Sequence, residues 1–240
     1  MTNVIPKIIC EIGGNHKGDF DLAIKMIEVA STFCDVDVIK FQKRDISEYT
    51  NNPKYQQPHP NPENSYGKTY ADHRKNLEFD LNQHIELKKI CESFGKIYSV
   101  SVWDNFSAEE MITLNPKLIK IPSALNLDFN LLNFVANNFK GEIHISLGMT
   151  YEKEIDEIHK FIKKNNFANR VVLYYCKSTY PTKETDLSLL EIMRLKEKFS
   201  KDILAVGFSG HHVGISVDIA ALTLGANYFE RHFTLDRTFK

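Results

Sequence analysis

The chain has 240 residues, with 30 Lys and Arg against 31 Asp and Glu and a formal net charge of −1. That balance excludes a global field drawing the chain to nucleic acid or to an anionic membrane, so any anion it binds is held locally. Hydrophobic content of 42% with 25% charged residues is too apolar for a disordered chain, and the length suffices for one large domain.

Short β-branched runs alternate with amphipathic helical stretches from one end of the chain to the other. Met1–Ile12 lacks the charged start and apolar centre of a secretory signal, and its second half, Lys7–Ile12, is the first predicted strand. A helix over Leu22–Phe33 follows, with Asp19 and Asp21 as its start signals, and then a strand over Val36–Gln42. The segment from Lys43 to Leu81 is rich in Asn, Pro, Tyr and Lys and lacks clear periodicity, so it reads as a lid inserted over the mouth of the fold. Helix His84–Phe94, strand Ile97–Val102 and helix Ala108–Leu114 come next, the last behind Ser107 with Glu110 three residues on. Strand Leu118–Pro122, helix Phe129–Asn137, strand Glu142–Leu147, helix Glu152–Lys164 and strand Val171–Cys176 continue the alternation. Asp186 precedes a helix over Leu187–Phe199, followed by strand Leu204–Ser209, helix Ile215–Leu224 and strand Tyr228–Thr234. After that strand, Thr234–Lys240 leaves no residues for an eighth helix, which reads as a barrel truncated there or closed by another chain.

Eight strands separated by seven helices predict one domain over 1–240, a parallel (β/α)8 TIM barrel, with an open doubly wound sheet as the alternative. The longest apolar runs are strand-length, so no membrane span is expected. Cys10, Cys34, Cys91 and Cys176 are scattered without a CxxC pair, which fits a reduced, cytoplasmic protein.

In such a barrel, chemistry sits at the C-terminal ends of the strands, and alternation decides which side chains face inward. The first strand ends in Glu11 beside Gly13 and Gly14. Lys40 and Gln42 share a face of the second, Ser99 and Ser101 of the third. Lys120 and Ser123, His144 and Ser146, then Ser178–Thr182 follow. The last two strands give Ser209 with His211 and Glu230 with His232. Two lysines and several hydroxyls converging on one mouth make a site for a small, highly charged oxyanion, a phosphate or a carboxylate. Two histidines on consecutive strands, with Glu11 and Glu230 as neighbours, have the donors for one divalent cation. The plainer alternatives weigh against single residues. His144 and His212 read as structural, and Glu230 is as readily a salt bridge inside the barrel as a metal neighbour. Trp103, Tyr66, Tyr70 and His73 read equally as lid packing or as sugar contacts.

Eight segments in order then carry a resemblance: CEIGGNHKGD (Cys10–Asp19), VIKFQ (Val38–Gln42), SYGKTYADHRKNLEF (Ser65–Phe79), KIPSA (Lys120–Ala124), SLGM (Ser146–Met149), STYPT (Ser178–Thr182), GFSGHH (Gly207–His212) and ERHFTLDR (Glu230–Arg237). The chain resembles the sialic acid synthase family of nonulosonate synthases. The resemblance implies a TIM-barrel transferase that condenses phosphoenolpyruvate with an N-acetylmannosamine-like amino-sugar aldehyde, giving a nine-carbon 2-keto acid and phosphate. It implies a divalent metal, Mn2+ or Mg2+, held by His211 and His232. It places Lys40, Ser101, Lys120, Ser123, Ser146 and Ser209 around phosphoenolpyruvate, and Gln42, Asn64, Ser178 and Tyr180 toward the sugar. Glu11, Lys40 and Lys120 are then the catalytic groups, with Glu11 positioning or deprotonating the water that adds at C2. A homodimer is one assembly the resemblance allows.

The chain departs from the family pattern in having Ser209-Gly210-His211 where many members have Ser-Asp-His, and Ser101-Val102 where many have Thr-Pro. Nothing corresponds to the Gly-Thr/Ser-Asp-His stretch, eighth helix or antifreeze-like domain that follow in many members. Three alternatives remain at this level. One is a Schiff-base aldolase using Lys40 or Lys120. The others are a non-catalytic anion- or sugar-binding barrel and a related phosphoenolpyruvate-condensing synthase that makes shorter keto acids.

Overall fold

The computed structural model describes residues 5–238. Residues 1–4 and 239–240, which begin and end the two terminal stretches read above, lie outside the described residues. The strands are β1 (Lys7–Gly13), β2 (Val38–Lys43), β3 (Ile97–Val102), β4 (Leu118–Ile121), β5 (Glu142–Ser146), β6 (Val171–Cys176), β7 (Ala205–Gly210) and β8 (Tyr228–His232). They pair in parallel in sequence order, and β8 closes on β1, with Glu11 opposite His232 on one side and opposite Lys40 on the other. The fold is therefore the closed TIM barrel, not the open sheet.

Helices α1 (Phe20–Phe33), α4 (Leu81–Ser93), α5 (Asn105–Thr113), α6 (Phe129–Asn138), α7 (Glu152–Lys164), α8 (Leu190–Phe199) and α9 (Ser216–Thr223) cover the outside. Two shorter ones, α2 (Ile46–Thr50) and α3 (Tyr70–Leu77), lie in the insertion. Outward strand residues such as Ile39, Phe41, Val100, Ile119, Ile143 and Leu173 pack with Met26, Leu87, Met111, Leu132, Ile158 and Ile192 into the main core. Each such buried side chain contributes roughly 1.5–3 kcal/mol by removal from water. The inward residues Ile9, Val38, Leu118, Val172, Tyr174 and Tyr228 form a second, smaller cluster that plugs the barrel below the polar positions. Among the described residues no helix is long and apolar enough to cross a membrane.

Several boundaries differ from the sequence reading for identifiable reasons. The cap of α5 is Asp104, with Ser107 as its reciprocal N3 partner, so the helix starts three residues earlier than the Ser107 signal suggested. Asp186 lies in a 3-10 turn, Glu184–Asp186, and α8 starts only at Leu190. The insertion is not structureless. Its helices are short and held by side-chain caps, such as the Thr69–Asp72 capping box of α3, with no apolar stripe for periodicity to detect. Tyr55, His59, Tyr66, Tyr70 and His73 stack on one another within it, which makes Tyr66, Tyr70 and His73 packing residues of the insertion. Where it returns to the barrel, the Lys43 ammonium donates to the Phe79 carbonyl at 2.8 Å, and His16 stacks on Phe79.

Burial holds His16 and His84 neutral, at about 4 and about 3 against an ordinary 6.5, although the Gly13 backbone partly offsets this for His16. Between those values the unfolded chain binds more protons than the folded one. The stabilisation is therefore complete above about pH 6.5 and is lost as pH falls toward 4. We expect the urea midpoint to fall between about pH 7 and about pH 5.5, above the main carboxylate range. A midpoint constant across that interval would contradict the neutral burial.

Candidate active site

A pocket opens at the C-terminal ends of the strands, where period-two alternation delivers inward side chains from all sides. Its centre is ionic. Lys40 is buried, forms an ion pair with Glu11, donates to Ser101 Oγ at 2.7 Å and lies 3.7 Å from a Glu230 oxygen. Lys120 is equally buried. It donates to the same Glu230 oxygen at 3.0 Å and sits 3.6 Å above the ring of Tyr174, which forms the apolar floor. Ser209 Oγ donates to the second Glu230 oxygen at 3.2 Å.

These pairings shift the two lysines in opposite directions. Burial disfavours both ammonium groups, but Glu11 and Glu230 together hold Lys40 above its ordinary value. Lys120 has only Glu230 close by and feels the Lys40 charge, and burial brings it below the ordinary value. Burial pushes the Glu230 carboxyl up, yet the two lysines overcome this and hold it well below the usual carboxylate range. Glu230 is thus an anion clamped between the two lysine side chains.

Backbone geometry brings the polar rim together. Between Glu11 and Gly13 the β1–β2 register shifts, and Gly13 takes φ of +58°. A Cβ there would come within 3.0 Å of both Gln42 Nε2 and Glu11 Oε1, which are themselves hydrogen-bonded at 2.7 Å, so glycine makes room for that contact. Gly148 does the same across the pocket. A Cβ would strike Ser178 Oγ at 2.3 Å and Ser123 Oγ at 2.6 Å, while Asn126 fixes the turn by donating to the Ser146 and Gly148 carbonyls.

At the outer edge, the rings of His211 and His232 lie 5.5 Å apart, and Tyr180 packs on His211 at 4.0 Å. His211 Nδ1 is 2.8 Å from the Lys177 carbonyl, so it is the protonated nitrogen and Nε2 keeps a lone pair. Burial lowers His211 to about 4 although that hydrogen bond opposes the shift, so the ring is a neutral imidazole at pH 7. Among the described residues no group of three His, Cys, Asp or Glu is arranged to hold a metal ion. What this edge offers a cation is two imidazoles, and a metal here would need its remaining donors from outside the protein.

Of the residues singled out in the sequence, the pocket gathers Glu11, Lys40, Gln42, Ser101, Lys120, Ser123, Ser146, Ser178, Tyr180, Ser209, His211, Glu230 and His232. It does not gather Asn64, which is exposed in the 3-10 turn Pro62–Asn64 of the insertion. Trp103, left open between packing and contact, lines the pocket. His144 is wholly buried between Tyr174 and Glu142, and His212 is bound to Asp218 and Arg231. Four further lining residues were not singled out as site residues. Pro122 and Ala124 flank Ser123 and Cys176 follows from the parity of Val172 and Tyr174 on β6, whereas Met149, at φ of +60° beyond β5, appears in the sequence only as the end of the SLGM segment.

The sequence model of the NeuB family matches residues 26–240. Human N-acetylneuraminate-9-phosphate synthase is 34% identical over 233 residues, an alignment that takes in 97% of this chain and 63% of that protein. N,N'-diacetyllegionaminic acid synthase of Campylobacter jejuni is 31% identical over 231 residues, covering 96% of this chain and 68% of that protein. The crystal structure of N-acetylneuraminic acid (sialic acid) synthetase from Leptospira borgpetersenii, in complex with citrate, superposes with a TM-score of 0.84 at 26% identity. It covers 99% of this chain and 78% of the other. The chain thus spans 63% of the length of the human relative.

Removing the Glu230 charge leaves two buried cations with less compensation. We expect Glu230→Gln to lose about 3 kcal/mol in urea unfolding, within the range for breaking a buried pair. Inorganic phosphate should recover more of the midpoint in this variant than in the parent, because the freed ammonium groups then take the anion. Equal midpoints without phosphate would show that the clamp contributes nothing to stability.

Proposed function

The chain belongs to the NeuB family, and on that premise we propose that it condenses phosphoenolpyruvate with an N-acetylmannosamine-like amino-sugar aldehyde, yielding a nonulosonic acid and phosphate. One observation carries the reading. Two buried lysines and a rim of serine hydroxyls stand in the same pocket as a pair of imidazole rings, which is the donor set for a small trianion beside an aldehyde. The relatives' names, which speak of N-acetylneuraminate 9-phosphate and diacetyllegionaminic acid, support that product class.

In this reading Lys40 and Lys120 take the carboxylate and phosphate of phosphoenolpyruvate, and Ser101, Ser123, Ser146 and Ser209 direct hydrogen bonds to their oxygens. Tyr180, Gln42 and Ser178 border the space left for the sugar. Its aldehyde carbon is held against C3 of phosphoenolpyruvate, so that proximity supplies much of the rate. Glu11 is ion-paired with Lys40 and hydrogen-bonded by Gln42, and it is the carboxylate that orients or deprotonates the water adding at C2. His211 and His232 would hold a divalent cation, Mn2+ or Mg2+. When bound, that cation supplies Lewis acidity toward the aldehyde oxygen. Tyr174, Lys40 and Lys120 close the bottom of the site to bulk water.

The test is phosphate release from phosphoenolpyruvate by this chain, with and without Mn2+. The acceptors are N-acetylmannosamine, its 6-phosphate and diacetamido-trideoxyhexoses, with products read by mass. We expect release to need both the metal and one sugar, to fall about a hundredfold or more in Lys120→Met, and to vanish in His211→Ala. Silence with every sugar and metal from a folded chain would count against the reading. Covalent trapping of a substrate on Lys120 by borohydride would replace it with an imine mechanism.

A further inference from the structure

Just outside the pocket, Arg44 follows β2 and does not itself line the cavity. It is buried, and its guanidinium lies 3.8 Å from the centre of the Trp103 ring. Its Nη2 donates to Gln42 Oε1 at 2.8 Å, and Gln42 Nε2 donates in turn to Glu11 Oε1 at 2.7 Å. On the far side, Glu78, at the end of the insertion, accepts from the Arg44 backbone N–H at 3.0 Å and from Nη1 at 3.2 Å. We infer that Arg44 is a positioning residue, which fixes the direction of the Gln42 amide and through it the Glu11 carboxylate, and which ties that orientation to the seating of the insertion by way of Glu78.

The reasoning is one of donors and acceptors. A guanidinium has five N–H donors and no acceptor, so the Gln42 oxygen must face it and the amide nitrogen must face Glu11. A flipped amide would set donor against donor at Arg44 and acceptor against acceptor at Glu11. Lysine at this position carries its three donors on one compact nitrogen and cannot both stack on Trp103 and fork between Gln42 and Glu78. Gly13 completes the arrangement, since any side chain there would push the Gln42–Glu11 contact apart.

The catalytic part of this inference rests on the condensation proposed above, and its test separates the two. The full chain has only four glutamines, at 42, 56, 57 and 83, so labelling glutamine with 15N lets the Gln42 side-chain amide be followed directly by NMR. In Arg44→Met we expect that signal to shift and to lose its protection from solvent exchange, with Arg44→Lys between the two and Glu78→Gln displaced in the same direction. In steady-state assays Arg44→Met should lower kcat by about tenfold or more, with KM for phosphoenolpyruvate unchanged within about twofold. A merely structural role would instead lower thermal stability and leave the kcat and KM pattern of the folded fraction unchanged. An unchanged Gln42 amide in Arg44→Met overturns the inference whether or not the parent turns over. A shifted amide with kcat intact in an active parent overturns its catalytic part. A parent that binds phosphoenolpyruvate but releases no phosphate with any sugar removes the reaction, and the amide signal still decides the positioning. If Arg44→Met does not fold, Arg44→Lys and Glu78→Gln carry the same comparison.

Discussion

The structure depends on neutralising four ionisable groups inside a closed barrel. Glu11, Lys40, Lys120 and Glu230 come from β1, β2, β4 and β8, and closure of β8 on β1 puts all four within one pocket. None has bulk water to solvate it, so each charge persists only because an opposite charge or a hydroxyl stands at contact distance. The groups are therefore interdependent. Ring closure assembles the quartet, and an incorrect register in any of those strands would strand a charge in the interior. Stability has to come from elsewhere, from the apolar layer between strands and helices and from the plug centred on Tyr174.

The same quartet sets what the pocket does with an incoming anion. Neither lysine is idle: both already face carboxylates. An anionic guest competes with Glu11 and Glu230 for ammonium protons, and it gains most at Lys120, which has fewer carboxylates around it than Lys40. The serine hydroxyls add direction without adding charge, and so favour one orientation of the guest.

Coupling to the insertion follows from how that segment is held. It carries few apolar residues, and its helices depend on caps and on a stack of tyrosines and histidines that pack mainly on one another. It rejoins the barrel through contacts at its end, Lys43 with Phe79, His16 with Phe79 and Arg44 with Glu78. The Arg44–Glu78 contact sits one hydrogen bond from Gln42, so the seating of a polar, lightly anchored segment and the orientation of a buried carboxylate belong to one network.

The sequence by itself determined the eight strands, their parallel order and the inward set on each. Alternation has a period of two whatever a strand packs against, and β-branched runs bounded by helix signals mark it locally. That is why Lys40 with Gln42, Ser99 with Ser101, and Glu230 with His232 were legible as pairs facing one interior. Local chemistry was less reliable at helix starts. Ser107 reads as a cap, and only the folded backbone shows that Asp104 caps and Ser107 returns the bond. Asn64, carried over on resemblance, lies in a segment whose path no period fixes, and the fold leaves it exposed outside the pocket. Only the tertiary structure decided which charges meet, since Lys120 and Glu230 are 110 residues apart and Arg44 and Glu78 are 34 apart. Such contacts depend on barrel closure and on the return of the insertion, and neither leaves a trace in the spacing of residues along the chain.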